Sequence, residues 1–253
     1  MTVLRSLLFN LWFYGLTTVL AVAALPLRAV APGVLRGYAR IWVRLVLAGL
    51  RTICGIDYQV AGLEHLPANG PALIAPMHQS AVDTLIWTHI APRFAFVLKQ
   101  ELTRIPLFGP ILRLTGMIAV DREGGAAAVR GLLRAADAAV AANRQIIIFP
   151  EGTRAAPGAR VKLQPGIAAM AQRTRLPVIP VVTDSGHFWG RVAFRKNPGT
   201  IRIAILPPIP AGLGRDALMQ RLETIFAEAP ALLATPVDNS VGTAPDGFPS
   251  RAS

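Results

Sequence analysis

Seven short apolar runs punctuate residues 57–206: YQVAG, ALIAP, FAFVL, MIAV, IIIFP, VIPVV and IRIAIL. Each is bounded by proline, glycine or a charged residue and has the length of a strand. Most are hydrophobic throughout instead of alternating, so both of their faces must be covered. That requirement selects a sheet sandwiched by helices, an α/β architecture. The connecting segments supply the helices. The clearest is GAAAVRGLLRAADAAVAANRQ, where Val129, Leu132, Leu133, Ala136 and Val140 recur at helical spacing. Arg130, Arg134 and Asp137 share the other face and are expected to be solvated. No internal repeat is present, and 253 residues suffice to bury a sizeable core. From Pro230 onward, alanine, proline, serine, threonine and glycine follow without period. Residues 230–253 therefore read as a disordered or loosely attached tail.

The first 56 residues are of another kind. Between Arg5 and Arg28 lie 22 uncharged residues, SLLFNLWFYGLTTVLAVAALPL. As a helix they would extend about 33 Å, close to the hydrocarbon thickness of a bilayer. Trp12 and Tyr14 sit near the start, where amphipathic rings favour the interface. AVAAL resembles a weak signal-peptidase site, but the run is long for a signal peptide and only Arg5 precedes it. A membrane anchor is the favoured reading. Arg28, Arg36, Arg40, Arg44 and Arg51 follow the run, which places the rest of the chain on the cytoplasmic side. The next segment, YARIWVRLVLAGLRTICG, spaces Arg40, Arg44 and Arg51 by four and seven. This fits an amphipathic basic helix suited to lipid headgroups and, equally, an ordinary surface helix of the domain. The two segments form a helical hairpin that either crosses the bilayer or lies in one leaflet.

Charge points the same way. The net charge is +12 although only 16% of residues are charged, and 53% are hydrophobic. A basic, apolar-rich chain fits an anionic membrane surface better than nucleic acid, for which no motif is present. The single cysteine, Cys54, excludes an internal disulfide and a CxxC metal site, and its apolar context marks it as packing.

The chemistry gathers where strands end. ALIAP reads as a buried strand, and SAVDTLIWTHI as a helix opening at Ser80, a favoured N-cap residue. His78 therefore lies between a strand and a helix N-terminus, with Asp83 in the first turn. A carboxylate on one imidazole nitrogen fixes the tautomer and stabilises the imidazolium, leaving the other nitrogen to take a proton from a hydroxyl. On its own this spacing is weak, since a structural turn explains it as well. Three further stretches add weight. FPEGTR carries Gly152, which allows close backbone approach, with Thr153 and Arg154. GMIAVDR carries Arg122, and KQELTRIPLFG carries Lys99, Glu101, Pro106 and Gly109. Each sets a cation just beyond a strand, where open α/β sheets gather ligands. Lys99, Arg122 and Arg154 would converge near His78, with the guanidinium suited to gripping a phosphate. His65, His89 and His187 lack comparable context, and His89 falls within an apolar helix as a packed residue.

Together these stretches resemble the glycerolipid acyltransferase family, most closely the bacterial 1-acyl-sn-glycerol-3-phosphate acyltransferases. Its blocks are matched in order by HQSAVD, GMIAVDR, FPEGTR and LPVIPV, with K-x-E-L…P-x-x-G between the first two. The resemblance covers residues 57 to about 210 and extends to the N-terminal helix pair. Many members carry asparagine before the histidine, where this chain has Met77.

The resemblance implies a mixed central sheet flanked by helices, with an anchoring pair at 1–56, a catalytic domain at 57–229 and the tail beyond. It implies that His78, oriented by Asp83, is the general base on the sn-2 hydroxyl of lysophosphatidic acid. It also implies Arg154, Arg122 and Lys99 as phosphate ligands, and Glu151, Gly152, Thr153 and Pro180 as pocket lining. The acyl donor would be a thioester of acyl-carrier protein or coenzyme A, with no cofactor, metal or covalent acyl-enzyme. The enzyme would sit on the cytoplasmic side of a bacterial inner membrane, against phospholipid. The competing readings are another lysolipid acceptor, such as lyso-ornithine lipid, glycerol 3-phosphate itself, and a non-catalytic basic membrane-binding module.

Overall fold

A computed structural model describes residues 1–106, 108–121 and 124–234. Seven strands form one sheet: β1 (Ile56–Ala61), β2 (Ala72–Pro76), β3 (Phe94–Lys99), β4 (Ile118–Val120), β5 (Gln145–Ile147), β6 (Val178–Thr183) and β7 (Gly199–Ile205). Their spatial order is β1-β7-β6-β2-β5-β3-β4. All neighbours are parallel except β6 and β7, so the sheet is mixed. All seven apolar runs became strands, with ends shifted by a residue or a few.

Continuous hydrophobicity along the strands is explained by two separate cores. On β2, Leu73 and Ala75 face one core while Ala72 and Ile74 face the other. On β5, Ile146 and Ile147 divide the same way. Successive side chains of a strand point to opposite faces, so every residue of a two-sided strand must be apolar. One layer is built from α5 (Gly125–Ala141), α6 (Gly166–Thr174), α7 (Arg215–Ala227) and α8 (Ala229–Ala234). The other is built from α1 (Thr2–Val30), α2 (Leu35–Gly49) and α3 (Ala81–Ile90), with α4 (Phe108–Leu114) between β3 and β4. Leu132 and Ala136 of α5 are buried as their spacing predicts, but Val129 lies exposed near the start of the helix. Asp137 is paired across the surface with Arg173.

Residues 230–234, grouped with the tail by composition, belong to the fold. They form most of α8, where Leu233 is buried and its carbonyl accepts from Arg202. The tail expected beyond them lies outside the described residues.

The hairpin is an integral layer of the domain. Phe9 is fully buried against Trp189, and Phe13 packs on Trp42 of α2. Tyr38 donates to the Leu20 carbonyl and the Trp42 indole N–H to Thr17, so the polar atoms facing this seam are satisfied. Lys196, only 2% exposed, donates to Asn10 and to the Phe194 carbonyl and lies over the rings of Phe9, Trp189 and Phe194. The backbone N–H of Lys196 donates to buried Ser6. Ser6 and Asn10, two of the few polar residues of this mostly apolar helix, thus clip it to the catalytic body. The remaining faces of α1 stay open, with Leu4, Leu11 and Val19 more than 60% exposed. Among the described residues α1 is the one helix long and apolar enough to cross a bilayer. On α2 the arrangement differs from the expected basic face. Ile41 and Leu45 point outward, while Arg40 and Arg44 are half-buried at the flank. The helix ends in a π-turn at Leu50–Cys54, stopped by Gly55 in the left-handed conformation.

Candidate active site

The site is assembled where β2 and β5, adjacent and parallel, release their chains at the same sheet edge. β2 ends at Pro76, and two residues later comes His78. Ser80 then caps α3. Its hydroxyl accepts from the Val82 N–H, and Asp83 at the third helical position reaches back to the Ser80 N–H at 2.8 Å. This reciprocal arrangement is a capping box. It fixes the Asp83 carboxylate beside the chain that enters the helix. The same Oδ2 then accepts from the Gln79 N–H at 2.8 Å and lies 3.0 Å from Nδ1 of His78. The five-residue spacing is thus the geometry of a helix N-terminus, with the histidine two residues before the cap. Asp83 is 3% exposed and His78 14%. Desolvation strengthens such a contact, because little water competes for the carboxylate.

With Nδ1 bonded to the carboxylate, that nitrogen carries the proton and Nε2 offers its lone pair. No partner engages Nε2 among the described residues. The imidazole also stacks on Phe149 at 4.0 Å between centroids, and Phe149 in turn on Phe96. The ring is held on one side by an aromatic pair and at one nitrogen by a carboxylate.

The FPEGTR turn closes the other side. Gly152 adopts a left-handed φ of 68° and donates to the Phe149 carbonyl, so the chain reverses directly over β5. The turn is stitched to the histidine by two bonds to the His78 backbone, one from a side chain and one from a peptide. Glu151 accepts from the His78 N–H at 2.5 Å, and the Ala155 N–H donates to the His78 carbonyl at 2.7 Å. Glu151 therefore does not line an open pocket as expected. It is 4% exposed, and burial, reinforced by Asp83, pushes its carboxyl up to about 8 although the His78 N–H favours the ionised form.

Arg154 follows directly, half-buried, with no side-chain partner among the described residues. It directly precedes Ala155, whose N–H donates to the His78 carbonyl. Thr153 is exposed beside it. Pro180 is buried in β6, opposite Ala75 of β2, and its carbonyl accepts from Leu206. Lys99 closes β3, two strands from β2, and its ammonium pairs with Glu101 at 2.9 Å on the surface. It is not brought into contact with His78. Arg122 lies outside the described residues.

Two contributors escaped the sequence reading. Phe149 was visible only as the last apolar residue of a strand, and nothing in its spacing marks a ring stacked on an imidazole. Gln79, 4% exposed, accepts from the Gly186 N–H at 3.1 Å. A glutamine between histidine and cap carries no signal for a partner 107 residues away.

Residues 57–184 match the family model described as Acyltransferase. The chain is 34% identical over 240 residues to the 1-acyl-sn-glycerol-3-phosphate acyltransferase of Pseudomonas aeruginosa, across 90% of this chain and 91% of that protein. It is 29% identical over 231 residues to the human 1-acyl-sn-glycerol-3-phosphate acyltransferase alpha, across 87% of this chain and 81% of that one. The crystal structure of the 1-acyl-sn-glycerophosphate (LPA) acyltransferase from Thermotoga maritima has the same fold. It matches with a TM-score of 0.73 at 22% identity, covering 92% of this chain and 100% of that one. A capped histidine–aspartate pair at the parallel edge of the sheet, the ordered sequence blocks and these similarities agree: the chain belongs to the acyltransferase family, on the branch of the 1-acyl-sn-glycerol-3-phosphate acyltransferases.

Proposed function

We propose that this enzyme transfers an acyl chain from a thioester to the sn-2 hydroxyl of lysophosphatidic acid, giving phosphatidic acid, with His78 as general base. The observation that carries the assignment is the 3.0 Å contact between His78 Nδ1 and Asp83 Oδ2, which leaves Nε2 as the proton acceptor. Nε2 takes the hydroxyl proton as the oxygen attacks the thioester carbonyl. The carbon–sulfur bond breaks, and the proton passes from the imidazolium to the departing thiolate. Asp83 balances the imidazolium charge throughout. A base placed in this way contributes roughly 10² to 10⁴ in rate.

Arg154 holds the acceptor's phosphate. Its place in the chain, next to the residue bonded to the His78 carbonyl, and its half-buried side chain with no partner among the described residues support this, since a guanidinium offers paired donors to phosphate oxygens. Arg122 shares that load. Lys99, occupied by Glu101, has a secondary part. Gly152 and Thr153 border the same opening, and Pro180 shapes the sheet beneath it. The donor is a thioester of acyl-carrier protein or coenzyme A. The α1–α2 pair holds the enzyme on the cytoplasmic face of a bacterial inner membrane, as the open apolar sides of α1 and the arginines that follow it support.

The test is turnover of lysophosphatidic acid by the full chain in detergent, with both donor types. His78→Ala should lose nearly all turnover while keeping its fold. Arg154→Ala should raise KM for the acceptor by about 10- to 100-fold, the worth of a charge-assisted hydrogen bond. Wild-type turnover by His78→Ala would reduce the protein to a membrane-binding module. An unchanged KM in Arg154→Ala would remove that residue from the acceptor site.

A further inference from the structure

Gln79 stands between His78 and the cap of α3, and it is bonded in two directions. Its backbone N–H donates at 2.8 Å to Asp83 Oδ2, the same oxygen that lies 3.0 Å from His78 Nδ1. Its side-chain Oε1 accepts from the Gly186 N–H at 3.1 Å. The residue is 4% exposed, so little water competes for either bond.

Gly186 belongs to the segment that follows β6, and that segment is held on several sides. Asp184 accepts from the Arg202 N–H at 2.7 Å and from its Nε at 2.8 Å. The Asp184 carbonyl accepts from the His187 N–H, and the Ser185 carbonyl from the N–H groups of Phe188 and Trp189. Trp189 meets Phe9 of α1 edge-on at 5.6 Å. Pro157, three residues beyond Arg154, closes the junction. A Cβ on Gly186 would come within 2.8 Å of the Pro157 ring and 3.0 Å of Gln79 Cβ. Glycine at 186 therefore lets the chain after β2, the loop after β5 and the segment after β6 meet at one point.

The bonds to the His78 backbone come from the β5 side, through Glu151 and Ala155. On the β6 side the ladder ends with the Met77 N–H on the Val181 carbonyl. Beyond Met77 the Gln79 side chain carries the connection on. We infer that Gln79 is a positioning residue for the reaction proposed above: its amide oxygen, moored to Gly186, holds the 78–79 peptide so that His78 Nδ1 and the Gln79 N–H converge on one Asp83 oxygen and Nε2 keeps a single aim. Gln79 acts through His78 and does not touch the substrate. The inference rests on His78 as general base. A base displaced by about 1 Å loses on the order of 10² in rate.

The test is steady-state turnover of lysophosphatidic acid by the full chain in detergent, with kcat and KM for acceptor and donor measured separately. Gln79→Met keeps the length of the side chain and removes the acceptor. It should lower kcat by about 10- to 100-fold and leave both KM values within about threefold. Gln79→Glu keeps an oxygen for the Gly186 N–H in either protonation state, and should hold kcat within about threefold of wild type. Gln79→Ser leaves room for a water to satisfy the Gly186 N–H but gives up the mooring. It should lose kcat as methionine does, whereas a residue needed only to satisfy that N–H would be replaced without loss. Wild-type kcat in Gln79→Met or Gln79→Ser overturns the inference. So does a rise in KM at unchanged kcat, or a Gln79→Glu variant as slow as Gln79→Met. Unfolding midpoints show which variants fold, and Gln79→Ser serves where Gln79→Met does not. His78→Ala, assayed alongside, separates the two levels. Wild-type turnover in His78→Ala removes the base and this role with it, whereas its loss beside an unaffected Gln79→Met overturns the positioning role alone.

Discussion

Replacing Glu151 by glutamine should stabilise the protein at neutral pH while preserving the position of His78. Glu151 is 4% exposed and accepts the His78 N–H, and burial raises its carboxyl from an ordinary 4.5 to about 8. The sign follows from proton linkage. Below pH 4.5 the group is protonated in both folded and unfolded chains, and its contribution to stability is fully present. As pH rises the unfolded chain releases the proton while the folded chain keeps it, so stability falls until the folded group itself ionises near pH 8. At pH 7 the gap is about 2.5 pH units at about 1.4 kcal/mol each, a cost of about 3 kcal/mol. Glutamine has the shape of the neutral acid and keeps a carbonyl for the His78 N–H, but has no proton to lose. The unfolding midpoint of Glu151→Gln should therefore exceed wild type by roughly 6–12 °C at pH 7. The two should converge near pH 4.5. The assay is thermal unfolding in detergent from pH 4.5 to 8.5, with turnover recorded in parallel. Glu151→Ala, which removes the acceptor, should lose both stability and turnover, whereas Glu151→Gln should retain more turnover than alanine does. A Glu151→Gln variant whose midpoint follows the wild-type pH slope, or lies below it at pH 7, would refute the account of a buried neutral carboxyl.

Asp83→Asn should lower kcat by about 10² to 10⁴, because it removes the charge that stabilises the imidazolium, and destabilise α3 by about 1 kcal/mol through the weakened cap; measured turnover with a near-native circular dichroism spectrum checks both. Lys196→Ala should lower the unfolding midpoint by roughly 6–12 °C. It removes charge-assisted bonds to Asn10 and the Phe194 carbonyl, and a cation over three rings, together about 3 kcal/mol. Gly62→Ala should destabilise by more than about 2 kcal/mol, since Gly62 holds a left-handed φ of 76° and a Cβ there would strike the Ile205 carbonyl. Denaturant unfolding reads this directly, and a wild-type midpoint would contradict it.

Much of this protein follows from local residue order. Continuous apolar runs cannot leave either face in water, so ALIAP and VIPVV had to become strands between two layers. Ser80 three residues before Asp83 is a capping box that any helix starting there would form, and it sets the carboxylate near His78 without help from the rest of the chain. The uncharged run from Ser6 to Leu27 had to be a long helix with an apolar surface. These properties depend on neighbours a few residues apart, and the backbone period carries them.

What the tertiary structure alone decided are contacts between residues distant in sequence. Lys99 and Arg154 both lie at or beyond strand ends and read alike, yet Lys99 is paired with Glu101 while Arg154, next to the residue bonded to the His78 carbonyl, has no partner among the described residues. Glu151 reads as a charged residue in a turn, but packing seals it against the His78 N–H and keeps it neutral. Arg40 reads as one of a row of arginines along α2, and only the docking of α3 sets it half-buried against the His89 carbonyl. In each case the side chain's charge and exposure are set by solvent exclusion, and solvent exclusion depends on which distant surfaces close over a residue.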